Sequence, residues 1–393
     1  MRFGMEDIEG RVQAPDAREQ TEIRETVLEL ARPRLTGTPG AAAVSAHMRG
    51  ELEGLGYEVR ELPFSFSTWP GRFGVSIVGV LVLLGSAGAA WLAGTRQGGW
   101  ALIVLAVVAA LIGVVGYTGR SAISRLPWGR IETANWLVVR PGARPRYIVA
   151  AHRDSKGQPV PLALRAAAVV AALLTAVALV LLAMASLLGP PWWKLAVPAW
   201  IIGVVGVAAG AVLAACVVTN GSPGALDNAT GLAALLGLAR REAGSDDIAF
   251  LVTDGEELGL AGAAAVGRQL PRVYGIINLD GLDDEGDFHI IEQHGLPRRG
   301  LAPQLAAALL AAAARLGTRA ERRALPVGVM VDHIPLVEAG FPAVTLMRGT
   351  ARSLRRVHRP EDDAAHLNGV GAAAAVALVA GALGVLREAP GAP

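Results

Sequence analysis

Five separated stretches hold the side chains that could do chemistry. The apolar run Tyr147–Ala151 ends in His152, Arg153, Asp154 and Ser155. A later loop reads Gly224, Ala225, Leu226, Asp227, Asn228, Ala229, Thr230, Gly231. The run Ile248–Thr253 leads into Asp254, Gly255, Glu256, Glu257, Leu258, Gly259 and Leu260, with Gly262 beyond. The run Val273–Leu279 stops at Asp280, and Val357, His358, Arg359, Pro360, Glu361 and Asp362 stand near the C-terminus. Cys216 is the single cysteine, which excludes zinc sites built from cysteine pairs. Any metal must use imidazole and carboxylate, a donor set that suits zinc. Two zinc ions about 3.5–4 Å apart need a carboxylate between them and terminal ligands on each. His152, Asp227, Glu257, Asp280 and His358 supply that number. Glu256 is left over beside a ligand, placed to take a proton from water.

Taken singly, each stretch has a plainer reading. Asp227 alone is best read as the N-cap of a helix over Asn228–Arg241, and Glu256–Glu257 alone as a solvated loop pair. In this order, however, the set resembles metallopeptidase family 28, which includes secreted bacterial leucyl aminopeptidases and the glutamate carboxypeptidases. His152–Asp154 matches the family's His-x-Asp motif, Gly224–Gly231 its Gly-Ala-x-Asp-Asn-x-x-Gly, and Glu256–Gly262 its Glu-Glu-x-Gly-Leu-x-Gly. Asn278–Asp280 matches Asn-x-Asp, His358–Asp362 matches His-x-Pro-x-Asp, and Arg34–Gly40 resembles the family's N-terminal entry. The resemblance implies one zinc on His152, Asp227 and Asp280 and a second on Asp227, Glu257 and His358. It implies Glu256 as general base, with Asp154 orienting the His152 ring.

Departures fall outside that set. Val331, Asp332 and His333 stand where Ser-Asp-His is usual, with Asp332 and His333 as candidate substrate contacts or supports. Val357 replaces a common Tyr and Arg359 a usual Thr, which bears on substrate preference more than on metal binding. His47, His289, His294 and His366 match no motif and read as ordinary surface or structural residues. Asp283, Asp284, Glu285 and Asp287 read as a solvated acidic turn.

Elements must carry these residues to one place. Glu19–Arg32, Ala41–Leu55, Asn228–Arg241, Leu258–Gln269, Pro303–Leu316 and Ala364–Arg387 have helical character. Tyr57–Phe66, Thr133–Val139, Tyr147–Ala151, Ile248–Thr253, Val273–Leu279 and Ala343–Met347 read as strands. Strands alternating with helices predict an α/β fold, a mixed β-sheet sandwiched by helices, with chemistry beyond the carboxyl ends of the strands. The resemblance implies the zinc exopeptidase fold.

Composition adds a membrane. Charged residues make up 18% of the chain, and hydrophobic ones 52%, against about 25% charged in ordinary soluble domains. Phe73–Gly94, Trp100–Thr118, Ala166–Leu188 and Leu195–Thr219 carry no charge and show no polar face. Each is long enough to cross a bilayer. Thr95–Gly99 and Gly189–Lys194 join them into two antiparallel transmembrane hairpins, with Trp91, Trp100, Trp192, Trp193 and Trp200 gathered nearby as an interfacial belt.

The peptidase domain is thus expected over 1–72, 119–165 and 220–393, interrupted by hairpins over 73–118 and 166–219. Arg60, Arg72, Arg120, Arg125, Arg130, Arg153, Lys156 and Arg165 flank the spans, against Arg96 and Lys194 at the tips. The positive-inside rule therefore sets the peptidase segments in the cytoplasm. Met1–Gln20 lacks the apolar core of a signal peptide. A net charge of +2 with no basic stripe excludes a nucleic-acid partner.

The expectation is a membrane-anchored exopeptidase with two zinc ions, an aminopeptidase acting on peptides by a metal-activated water. A carboxypeptidase or dipeptidase is the nearest alternative, and a non-catalytic receptor or scaffold the alternative from another class. A glutaminyl-cyclase-like reaction ranks lower because the full ligand set is present. The short return arm Asn220–Leu226 keeps the site within about 30 Å of the bilayer surface.

Overall fold

The computed structural model describes residues 15–120, 123–189, 192–267, 269–300, 302–326 and 328–388, the side chains of Trp192 and Trp193 excepted. The expectation for Met1–Gln20 lies outside these residues up to 14, as does the placing of Trp192 and Trp193 in an aromatic belt. Along the chain come α1 (Ala17–Leu30), α2 (Pro39–Gly54), β1 (Glu58–Ser67), α3 (Trp69–Gly94), α4 (Gly98–Arg120), β2 (Arg130–Val139) and β3 (Tyr147–His152). Then follow α5 (Leu162–Ser186), α6 (Trp192–Ala214), α7 (Thr230–Arg241), β4 (Ile248–Thr253), α8 (Ala261–Val266), β5 (Gly275–Leu282) and β6 (Phe288–Gln293). The last elements are α9 (Pro303–Arg315), β7 (Ala320–Ala324), α10 (His333–Glu338), β8 (Ala343–Arg348), α11 (Ser353–Arg356) and α12 (Val370–Glu388). Contacts divide the chain into two units, one of Met1–Ser65, Ile131–Gly157 and Asn220–Pro393, the other of Phe66–Arg130 and Gln158–Thr219.

The first unit is built on a mixed sheet in the order β1-β2-β4-β3-β5-β8-β6-β7. Strands β4, β3, β5 and β8 run parallel, whereas β2 and β6 are antiparallel to their partners β4 and β8. The parallel strands are apolar on both faces, as strands covered by helices must be. Alternation sends Val149, Phe250, Ile277 and Val344 to one core, against α1, α7, α9 and α12. Ile148, Leu251, Ile276 and Ala343 go to the other core, against α8 and α10. This is the expected helix–sheet–helix sandwich.

Four local expectations need correction. Asp227 does not cap α7, which starts at Thr230; the residue has a non-helical backbone and its side chain caps nothing. Residues 256–260 form a turn and α8 covers only Ala261–Val266, because Gly255, Gly259 and Leu260 adopt φ of +74°, +108° and +59°. Gly369, at φ +78°, delays α12 to Val370 after a short 3-10 turn over Ala364–His366. Strands β6 and β7 extend the sheet edge where charged residues such as Glu321, Arg322 and Arg323 hid the pattern.

The second unit consists of α3–α6 with their connections. Each helix contains a stretch of mean hydropathy between 2.1 and 2.8. Close packing depends on glycine: a Cβ on Gly79 would lie 2.1 Å from the Ala214 nitrogen, and one on Gly210 2.5 Å from the Leu83 nitrogen. Small residues of this kind let apolar helix backbones meet in the absence of polar contacts. The outer faces remain apolar, with Leu173, Leu174, Val177 and Leu181 on α5 and Ile103, Val107, Leu111 and Val114 on α4 exposed.

Candidate metal centre

Register brings the donors together. His152 is the last residue of β3 and pairs with Thr253, so Asp254–Glu257 leave β4 beside it. On the other side Ala150 pairs with Asn278, which sets His152 level with Asp280 two residues on. All of these lie at the carboxyl ends of parallel strands. Gly224, at φ +60°, turns the chain into Asp227 in a space where a Cβ would meet the Asp227 carbonyl oxygen at 2.4 Å.

His152, Asp227 and Asp280 form one cluster with ligand atoms within 4.8 Å of one another, and Asp227, Glu257 and His358 form a second. His152 Nε2 lies 3.1 Å from Asp227 Oδ1 and 3.8 Å from Asp280 Oδ1. His358 Nε2 lies 3.0 Å from Asp227 Oδ2 and 3.4 Å from Glu257 Oε2. Asp227 thus presents one oxygen to each cluster. Ligands of a tetrahedral zinc lie about 3.3–3.6 Å apart, the edge set by bonds of about 2.0–2.2 Å. The observed spacings bracket that value.

Proton placement supports the same fit. His152 Nδ1 lies 3.1 Å from the Asp154 carbonyl oxygen, an acceptor only, so Nδ1 carries hydrogen. Nε2 of the neutral ring then offers a lone pair; it is buried, has no hydrogen bond, and faces carboxylate oxygens. A proton or a cation must sit between such groups.

The electrostatics follow. Burial pulls the His152 pKa down, yet Glu256, Asp154, Asp227 and Asp280 together raise it well above the usual imidazole value. Burial pushes Asp227 up, but His152 and His358 hold it well below the carboxylate range. Burial and the charge of Asp227 act upward on Glu257, but Lys156 and His358 bring it down to about 2. Glu256 is raised well above normal by burial, with the Glu257 charge adding to the shift. Glu256 belongs to neither cluster.

Residues 210–383 match the model described as peptidase family M28. Among solved structures, it is similar to the aminopeptidase from Aneurinibacillus sp. strain AM-1, at 14% identity and a TM-score of 0.55, over 96% of this chain and 95% of that one. It is similar to the Fimbriiglobus ruber glutaminyl cyclase at 18% identity and a TM-score of 0.54, over 94% and 98% of the two chains. The Legionella pneumophila LapA aminopeptidase matches at 12% identity and a TM-score of 0.53, over 97% and 74%. At these identities the likeness concerns the fold. No curated protein matches the chain.

Two buried carboxylates brace the loops of this site. Asp154 accepts the N–H groups of Glu256 and Glu257, at 3.2 and 3.1 Å. The His152 ring therefore takes the main-chain carbonyl of Asp154, while the carboxylate stands 3.6 Å from Nδ1. Asp362 accepts the N–H groups of Leu226 at 2.7 Å and Asp227 at 3.3 Å, clamping the shared ligand's loop. Arg34, fully buried, donates to the carbonyls of Arg153 at 2.8 Å and Gly224 at 2.9 Å, tying the N-terminal entry to two motif loops. Lys156 reaches Glu257 twice, through Nζ to Oε2 at 2.6 Å and through its N–H to Oε1 at 3.2 Å.

Asp362 and Arg34 lie within the His358–Asp362 and Arg34–Gly40 motifs, and that placement is the sequence signal for their bracing contacts. Asp332 and His333 are fully buried. Asp332 accepts the Thr253 hydroxyl. His333 Nδ1 lies 2.8 Å from Thr345 Oγ1, and its Nε2 lies 3.2 Å from His294 Nδ1. Burial and the neighbouring His294 depress His333 to about 3. Neither side chain is hydrogen-bonded to a donor of the two clusters in these contacts.

Proposed function

We propose that the chain is a membrane-anchored, zinc-dependent exopeptidase that removes N-terminal residues from peptides. One observation carries the reading: Asp227 gives one oxygen to His152 and the other to His358, with Glu256 beside them outside both clusters. His152, Asp227 and Asp280 would hold one zinc, and Asp227, Glu257 and His358 the other. When bound, zinc supplies a Lewis acid for the scissile carbonyl and acidifies water. Glu256 takes the proton of the attacking water and hands it to the leaving nitrogen. Its raised pKa makes it a stronger base than an ordinary glutamate, which suits both transfers. Asp154 fixes the Glu256 main chain, and with it the angle of that transfer.

The second unit is the anchor. Exposed aromatics mark both ends of its first hairpin, Trp69, Tyr117 and Trp128 at one and Trp91 and Trp100 at the other, as at two membrane interfaces. Arg72, Arg120, Arg125 and Arg130 adjoin the first end against Arg96 at the hairpin tip. That asymmetry supports a cytoplasmic peptidase unit.

The test is digestion of a peptide library by the purified full-length protein with zinc, read by mass. Loss of single N-terminal residues is expected. Shortening from the C-terminus makes it a carboxypeptidase, and no cleavage with no zinc uptake makes it a scaffold. The fold shared with glutaminyl cyclases favours one further reading. N-terminal glutamine peptides that lose ammonia without shortening would establish cyclisation instead.

A further inference from the structure

We propose that the Asp283–Arg356 ion pair is the positioning device for His358, a role that rests on the metallopeptidase reading. His358 adopts φ +65°, a left-handed backbone uncommon for a residue with a side chain. Such a conformation persists only where its surroundings over-determine it. No strand supports it: His358 follows the four-residue helix α11, and its flanking peptides form a turn in which the Arg359 N–H donates to the Arg356 carbonyl at 2.9 Å.

Two attachments hold this segment. Downstream, Asp362 is bound to the Asp227 loop. Upstream, Arg356 Nη2 donates to Asp283 Oδ2 at 3.3 Å. Asp283 belongs to the acidic turn that the sequence suggests is solvated, yet it is buried. Its neighbour Asp284 accepts the N–H of Gly371 at 2.9 Å and that of Asn368. The turn is also wedged sterically: a Cβ on Gly371 would lie 2.0 Å from the Asp283 carbonyl, and one on Gly286 2.5 Å from the Gly349 carbonyl.

Residues 283–286 therefore grip both ends of segment 349–371, which carries His358 and Asp362. They leave the end of β5 three residues after Asp280, so one strand end sets a donor of the first cluster and anchors the histidine of the second. Arg356 is the attachment nearest His358, and its guanidinium can be removed without emptying the core.

The experiment uses the full-length protein in detergent, with zinc binding by calorimetry and kcat and KM on an aminoacyl substrate. Arg356→Met is expected to weaken one of two zinc positions about tenfold, the low end for groups that orient ligands, since Arg356 is partly exposed. It should leave the other position unchanged and lower kcat more than KM. Arg356→Lys, which keeps the charge, should recover most of the loss, and Arg355→Met on the exposed neighbour should change nothing. Wild-type affinity in Arg356→Met, equal losses at both positions, or no recovery in Arg356→Lys overturns the proposal. Absence of zinc uptake by the unsubstituted protein would instead sink the metallopeptidase reading.

Discussion

The two donor clusters share Asp227 but are held in place by different physics. His152 ends β3 and Asp280 lies near the end of the adjacent parallel strand β5, and sheet register sets them level. Glu257 and His358 stand on loops, in a turn closed by Gly259 and a left-handed residue respectively, and depend on polar clamps from Asp154, Asp362, Lys156 and Arg356. A sheet-held donor costs little to position because the backbone bonds that place it are made anyway. A loop-held donor needs dedicated partners, so the second cluster should be the more sensitive to substitutions that touch no ligand.

Asp227→Ala should have the largest effect, because it removes the one group common to both clusters. Both zinc affinities are expected to fall by more than about 100-fold, beyond the range for groups that merely orient ligands, and activity should vanish. Calorimetry showing that only one position is lost would mean the carboxylate is not shared. Glu256→Ala comes next: turnover should drop about 10²–10⁴-fold, the usual worth of a general base, with both zinc ions retained. Loss of a zinc would place Glu256 among the ligands and redraw the second cluster.

Much of this contrast was legible in the sequence, and its limits are physical. The strand-end donors stood out because apolar runs stop at His152 and Asp280, and the loop donors because their neighbours form dense motifs. Clamping was not legible, since hydrogen bonds from the Leu226 and Asp227 N–H groups to the Asp362 carboxylate join positions with no common pattern. For the same reason Asp227 looked like a helix cap and Asp283 like a surface residue. Hydropathy also failed to separate two kinds of apolar helix. In α12 the apolar stretch has a mean hydropathy of 2.0 and is 72% buried, whereas that of α4 has 2.6 and is 11% buried. The difference lies in what covers them: α12 packs under the sheet, and α4 turns its apolar face outward.

A smaller effect should come from titrating the clamps. Burial pushes the Asp362 carboxyl up to about 7, although the Leu226 N–H acts against the shift. A carboxyl raised in this way favours the fold while protonated, so its contribution is complete below pH 3.8 and is lost as pH rises through about 7. Glu257, held down to about 2, behaves in the opposite sense, contributing above pH 4.5 and losing its contribution only as pH falls toward 2. In zinc-free protein, Asp362→Asn should therefore flatten the decline of Tm between about pH 4 and pH 7 while leaving the acid limb intact. An unaltered slope would show that Asp362 does not titrate in this window.

The smallest predicted change separates a clamp that positions from one that only balances charge. Lys156 touches Glu257 through both its ammonium and its main-chain N–H. Lys156→Met removes the first contact and keeps the second, so the carboxylate should stay in place. Its electrostatic consequence has two parts: Glu257 loses a favourable neighbour and titrates at higher pH, while a like charge disappears from beside the cation position. His358 still acts to hold the Glu257 carboxyl down when Lys156 is gone. The second part therefore dominates, and zinc affinity at one position should rise, by less than about tenfold given the screening of a partly solvated site. This is opposite in sign to the loss expected for Arg356→Met. A fall in affinity would show instead that the ammonium, and not the main chain, holds Glu257, and that the loop cluster relies on its charges for geometry as well as for balance.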